Sequence, residues 1–123
     1  ADLITEADWA HIGLSRNEET LEAETYLVRL PDGLAHRDII IIDPMLATGG
    51  SAKHCLDILR DNGAQDDHIQ FACLVAAPEG LQAFQEEAPD IVTVVGALDR
   101  ELNDQSFIMP GLGDAGDRLY GTL

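Results

Sequence analysis

The residues that could do chemistry in this sequence are concentrated in a segment with two adjacent glycines, residues 43–51. In order they are Asp43, Pro44, Met45, Leu46, Ala47, Thr48, Gly49, Gly50 and Ser51. A glycine turn leaves successive backbone N–H groups open to an anion, and Thr48 and Ser51 add hydroxyl donors. Asp43 lies about where the hydroxyls of a sugar attached to that anion would be. Together these features indicate a sugar-phosphate site.

The elements on either side support this interpretation. The β-branched run Ile39–Ile42 precedes the segment and predicts a strand of a parallel sheet, buried on both faces. Apolar residues at helical spacing follow it, up to a stop signal at Asn62 and Gly63: Ala52, Cys55, Leu56 and Leu59. Anion sites recur between such a strand and such a helix, where the helix dipole is positive.

A purely structural interpretation stays open at this point. Gly49 and Gly50 could serve only to supply positive φ angles in a tight turn, with Asp43 as a solvated turn acid. The P-loop of nucleotide hydrolases is a poor match, because it requires Gly-Lys-Ser/Thr, whereas Lys53 here follows Ser51 and an alanine.

The remaining apolar runs complete an alternating pattern. Phe71–Ala77 predicts a second strand, Pro78 marks the first turn of a second helix, and Ile91–Val95 predicts a third strand. The order β-α-β-α-β implies right-handed crossovers and a parallel sheet with flanking helices, an α/β fold. Upstream, residues 11–15 and 25–30 predict two strands of a hairpin-like arm.

A second glycine motif lies near the end of the sequence, in a segment 99–117 that we expect to be an ordered loop. Its residues are Gly111, Leu112, Gly113, Asp114, Ala115 and Gly116. The spacing matches the dinucleotide fingerprint, but that fingerprint requires a preceding strand, a following helix and a later acid. Here Pro110 precedes it and few residues follow. A closing turn and a ligand contact both remain open.

Net charge, hydrophobic content and cysteine count narrow the classes of protein to which this chain can belong. The 123 residues carry a formal net charge of -16, which disfavours nucleic-acid and anionic-membrane partners. Their 46% hydrophobic content suits one globular domain over residues 1–123. Cys55 and Cys73 form no Cys-x-x-Cys pair and the four histidines are scattered, so a zinc site is not indicated and a reducing cytoplasm fits best.

Three segments in order, residues 43–51, 74–80 and 110–118, resemble uracil phosphoribosyltransferases, and residues 13–22 resemble the same family. The resemblance implies a type I phosphoribosyltransferase fold, with Pro44 in place of the usual second acid. It also implies that uracil and phosphoribosyl diphosphate react to give UMP and diphosphate in pyrimidine salvage.

The resemblance assigns roles residue by residue, with Asp43 and Asp114 as the catalytic pair. Phosphoribosyl diphosphate would be bound by Arg16, by residues 43–51 and by Asp114. Uracil would be bound largely through backbone groups of Ile108, Gly113, Asp114 and Ala115.

The resemblance further implies Mg²⁺, bound mainly through substrate oxygens, and a homo-oligomer, and it leaves GTP as a candidate effector. Family members are considerably longer, so we expect this chain to be the C-terminal portion. With no upstream segment, one side of its sheet would be uncovered. The alternative function is a non-catalytic regulatory module that binds phosphoribosyl diphosphate or UMP.

Overall fold

A computed structural model describes residues 3–20, 22–111, 118–119 and 121. The strands are β1 (His11–Arg16), β2 (Ala23–Arg29), β3 (Ile39–Leu46), β4 (Ile69–Ala76), β5 (Val92–Leu98), β6 (Glu101–Leu102) and β7 (Ile108–Met109). The helices are α1 (Gly50–Asp61) and α2 (Pro78–Glu87), and short 3₁₀ turns cover Leu34–His36 and Asp66–His68. Among these residues, neither helix is long and apolar enough to cross a membrane.

Strands β3, β4 and β5 form the predicted parallel sheet in that order. Helix α1 connects the first two strands and α2 connects the last two, and the helices contact each other. The core lies between the sheet and the helices, where the rings of Phe71 and Phe84 are 4.8 Å apart. Helix α1 buries Ala52, Leu56 and Leu59, which confirms the helical spacing seen in the sequence.

The prediction that the first strand is buried on both faces was wrong. Ile41 is 8% exposed, but Ile40 and Ile42 are 55% and 68% exposed. Two successive right-handed crossovers in the same direction put both helices on one face of the sheet. The opposite face is apolar and exposed in the described residues, as expected for an uncovered side: Ile40, Ile42, Leu74, Val92, Val94 and Leu98.

Strand β3 also extends further than predicted, since it includes Pro44 and continues to Leu46. A strand accommodates proline where the proline nitrogen faces away from the neighbouring strand, because proline has no N–H to donate. In register, Asp43 pairs with Cys73 and Met45 with Val75, and Pro44 has no partner in β4.

The hairpin-like arm is confirmed as an antiparallel pair, β1 with β2. A bulge between Gly13 and Leu14 accompanies the pairing, and a Cβ at Gly13 would lie 2.5 Å from the ring of Tyr26. The connection between the strands is held by Asn17, whose Oδ1 accepts the N–H groups of Glu19 and Thr20 at 2.9 and 3.0 Å.

The segment expected to be a loop contains regular structure in its described part. Glu101 pairs with Met109 and Leu102 with Ile108, so β6 and β7 form a short antiparallel pair. Asn103 closes this pair, because its Oδ1 accepts the N–H of Phe107 at 2.9 Å. Such side-chain acceptors in turns leave no periodic signal in a sequence.

Candidate functional site

A cleft opens at the carboxyl end of β3, where the chain turns into α1. Its volume is about 210 Å³. Sites that enclose drug-sized ligands occupy roughly 300–1,000 Å³, so the described residues form a cleft that holds part of a ligand of that size. Its lining residues are Arg16, Asp43, Met45, Leu46, Ala47, Thr48, Gly49, Ser51 and Ala52.

The turn from β3 into α1 presents backbone N–H groups to this cleft. Gly49 precedes the helix with a φ of 87°, a left-handed conformation that favours glycine. The first helical bond joins the Lys53 N–H to the Gly49 carbonyl at 2.9 Å. The N–H groups of the residues just before Lys53 therefore have no acceptor within the helix. That of Gly50 donates instead to Thr48 Oγ1, outside the helix, at 3.3 Å. Ser51 and Ala52 supply the open donors.

Helix α2 supports the turn from behind through Gly80. A Cβ at this position would overlap the carbonyl oxygen of Ala47, so the first turn of α2 lies directly against the 43–51 backbone. The Ala77 N–H donates to the Leu46 carbonyl at 2.9 Å and fixes the start of α2 to the end of β3. The close approach of α2 therefore depends on glycine at position 80.

Asp43 is the only carboxylate among the described residues that line the cleft. Its Oδ1 accepts the N–H of Met45 at 3.2 Å. Burial raises the pKa of this carboxyl, and the Met45 hydrogen bond partly offsets that rise. Burial, with a contribution from Asp43, also raises the pKa of Cys55 to about 11 and raises that of Cys73. Both thiols are therefore protonated near neutral pH and are poor nucleophiles.

Arg16, at the end of β1, reaches the cleft from a different sheet. The arm that carries it is tied to α1 by a hydrogen bond of 2.6 Å between Thr25 Oγ1 and His54 Nε2. Arg16 brings a guanidinium to a site that is otherwise built from backbone groups and one acid. A cleft with these groups can bind a phosphate and hold a carboxylate beside the attached sugar.

Comparison with known proteins identifies the family of this chain. The profile of uracil phosphoribosyltransferase matches residues 1–122. The chain belongs to the uracil phosphoribosyltransferase family. A uracil phosphoribosyltransferase of Lactococcus lactis subsp. cremoris is 55% identical over 98% of this chain and 57% of its own length. One from Streptococcus equi subsp. zooepidemicus is 56% identical over 98% of this chain and 56% of its own length. The chain thus spans little more than half the length of these family members.

Two solved structures have a similar fold. The AQ2163 protein of Aquifex aeolicus has a TM-score of 0.80 and 42% identity, over 90% of this chain and 52% of its own. The APRTase of Giardia lamblia, in complex with 9-deazaadenine, has a TM-score of 0.53 at 17% identity, over 76% of this chain and 50% of its own. The second likeness concerns the fold alone, and it confirms the phosphoribosyltransferase-like architecture.

The structure brings together most of the residues predicted for the sugar phosphate. Pro44 and Gly50 lie in the predicted segment but do not line the cleft, and Ala52 lines it although it was not predicted. Ile108 is 6% exposed on β7. The other residues predicted for uracil, Gly113, Asp114 and Ala115, lie outside the described residues.

Three residues beside the site had no assigned role in the sequence. Gly80 could have been suspected, because glycine inside a helix costs about 1 kcal/mol and therefore hints at a close approach. Thr25 and His54 gave no signal, since their contact joins strand β2 to helix α1 across 29 positions. In the described part of the chain, no group of three His, Cys, Asp or Glu side chains is arranged to hold a metal ion.

Proposed function

We propose that this chain carries the substrate sites of a uracil phosphoribosyltransferase. In the reaction, N1 of uracil forms a bond to C1 of the ribose while the bond from C1 to diphosphate breaks. The N1 proton is released, and the products are UMP and diphosphate. The observation that carries the proposal is the cleft at the end of β3, which unites Arg16 with residues of the 43–51 turn in a chain of this family.

The 43–51 turn binds the ribose and the 5′-phosphate of phosphoribosyl diphosphate. The 5′-phosphate binds the open N–H groups of Ser51 and Ala52 at the start of α1, with the hydroxyls of Thr48 and Ser51 as further donors. Asp43 binds the ribose hydroxyls. Arg16 approaches the diphosphate, where a guanidinium forms bidentate contacts with phosphate oxygens.

Uracil binds at Ile108, Gly113, Asp114 and Ala115. Backbone groups contact its carbonyl and N–H groups, which discriminates against bases with a different donor and acceptor pattern. Asp114 also contacts the sugar diphosphate. We base these assignments on the match between residues 110–118 and the family motif.

Mg²⁺ is part of the proposal, bound chiefly by the substrate. Asp43 is the one carboxylate that lines the described cleft, which suits an ion that keeps most of its oxygen ligands from diphosphate and water. When bound, the ion neutralises charge on the departing diphosphate. The protein's own contribution is to hold the two substrates in line and to stabilise the positive charge that develops on the ribose, with Asp43 nearby.

Variants at the two half-sites test these assignments. Asp43→Asn and Gly113→Val should each abolish UMP formation and leave the fold largely intact. Asp90→Asn, at an exposed position, is the matched control for loss of charge. Normal turnover by both site variants would contradict the residue assignments.

The second candidate is a module that binds phosphoribosyl diphosphate or UMP through the same cleft without catalysis. Titration with each ligand, run beside a turnover assay, separates the two. Binding without any UMP formation in the complete protein would support the module.

Self-association, a GTP effector and a cytoplasmic location complete the proposal. The first two follow from the family resemblance. The third rests on Cys55 and Cys73, which are free thiols in the described structure and suit a reducing compartment.

A further inference from the structure

A relay of three hydrogen bonds crosses the carboxyl ends of the parallel strands. The Leu46 carbonyl accepts the Ala77 N–H at 2.9 Å, and the Ala76 carbonyl accepts the Asp99 N–H at 2.8 Å. The third bond is different, because Asp99 Oδ2 accepts the N–H of Gly111 at 2.9 Å. This series of bonds begins at Leu46 in the 43–51 turn and ends at Gly111, two residues before Gly113 in the sequence. Its last step alone depends on a side chain.

Gly111 lies directly against Ile108. It has a φ of 50°, and a Cβ there would overlap the carbonyl oxygen of Ile108. A second bond, from the Arg100 N–H to the Met109 carbonyl at 2.9 Å, holds the same corner to the end of β5. With so little free space, a shift of Gly111 moves Ile108 as well.

We infer that Asp99 is a positioning residue that sets the distance between the 43–51 turn and Ile108, a proposed uracil contact. The inference rests on the proposed function and deepens it. N1 of uracil must stand in line with C1 of the ribose, and a misplacement of about 1 Å costs roughly 100-fold in rate. Asp99 acts through Gly111 and touches neither substrate.

A carboxylate is well suited to this role. A hydrogen bond from a backbone N–H to an ionised acceptor is about twice as strong as one to a neutral acceptor. Asp99 follows directly on β5, so the acceptor is anchored to the sheet. Glu79 makes a longer contact with the same segment, since its Oε1 accepts the Leu102 N–H at 3.3 Å, but that bond ends on β6 and does not reach the corner.

The test uses the complete protein with three variants. Asp99→Ala removes the acceptor, Asp99→Asn keeps an acceptor oxygen at the same place, and Asp104→Ala removes an exposed charge from the same segment. Steady-state kinetics gives kcat/KM for uracil, and calorimetry gives the affinity for phosphoribosyl diphosphate alone. A merely structural role would change both quantities together.

We expect Asp99→Ala to lower kcat/KM for uracil by about 10- to 100-fold, with the affinity for phosphoribosyl diphosphate unchanged. Asp99→Asn should recover most of the loss, and Asp104→Ala should match the parent protein. An unchanged kcat/KM, an equal loss of both quantities, or no recovery by asparagine would overturn the role of Asp99 alone. No UMP formation by any protein, the parent and Asp104→Ala included, would overturn the proposed function and this inference with it.

Discussion

At the scale of single residues, Asp43 lines the proposed ribose site, and its charged form is destabilised there by burial. Its carboxyl is partly buried at the end of β3, and this burial raises its pKa. The charged form that we propose to contact ribose is therefore the form that the folded protein disfavours. Functional sites commonly concentrate such perturbed groups. The cost should be visible in stability as well as in activity.

Replacement of Asp43 by asparagine should raise the melting temperature in a pH-dependent way. A carboxyl whose pKa is raised by folding contributes stability that is fully present below its unfolded value, 3.8, and is lost as pH rises through the folded value. An asparagine side chain is uncharged at every pH, so the variant's advantage should be absent at pH 3 and present at pH 7. Thermal unfolding at low protein concentration measures it, with Asp90→Asn as the control. An advantage that does not change with pH would contradict the burial argument.

At the scale of elements, the strand–turn–helix unit was predictable because its signals are local. An apolar run, two glycines and a helical stripe follow one another within residues 39–59. Which isoleucines of the run would be the exposed ones, Ile40 and Ile42, was not predictable, since a continuous isoleucine run has no periodicity and the covered face depends on both crossovers. The contact of Asp99 with Gly111 was equally hidden, because it depends on how a 12-residue segment folds back.

The packing of α2 against the turn yields a prediction for Gly80. Alanine is the better helix former by about 1 kcal/mol, so propensity alone predicts stabilisation. Because a Cβ would overlap the Ala47 carbonyl, Gly80→Ala should instead destabilise the fold by about 1–3 kcal/mol and weaken binding of phosphoribosyl diphosphate. Urea unfolding and a ligand titration measure the two effects. Gln85→Ala, on the exposed side of α2, is the control, and a stabilised Gly80→Ala variant would refute the close approach.

The contact between the arm and α1 yields a prediction for Thr25. Thr25→Val keeps the β-branched shape and removes the hydroxyl that bonds His54. Without that bond, worth about 0.5–1.5 kcal/mol, Arg16 should be held less firmly at the cleft, and the affinity for phosphoribosyl diphosphate should fall roughly 2- to 10-fold. Thr25→Ser retains the hydroxyl and should bind as the parent does. Equal affinities for the valine and serine variants would show that the bond does not position the arm.

At the scale of the whole molecule, charge repulsion opposes the compact state. The formal net charge is -16, carried by 23 acids and 7 bases. Salt screens such repulsion, with a Debye length of about 10 Å at 0.1 M. Raising KCl from about 0.05 to 0.5 M should therefore raise the melting temperature by roughly 4 °C, the shift expected from about 1 kcal/mol. Near the pI of about 4.2 the same addition should have little effect. An equal rise at both pH values would point to a cause other than net charge.

The central claim is that this family member joins uracil to phosphoribosyl diphosphate. The most direct measurement is UMP formation by the complete protein from labelled uracil, phosphoribosyl diphosphate and Mg²⁺, with adenine as the competing base. We expect UMP in amounts that match the released diphosphate, loss of product in Asp43→Asn, and no nucleotide from adenine. Tight binding of phosphoribosyl diphosphate with no UMP formed would contradict it.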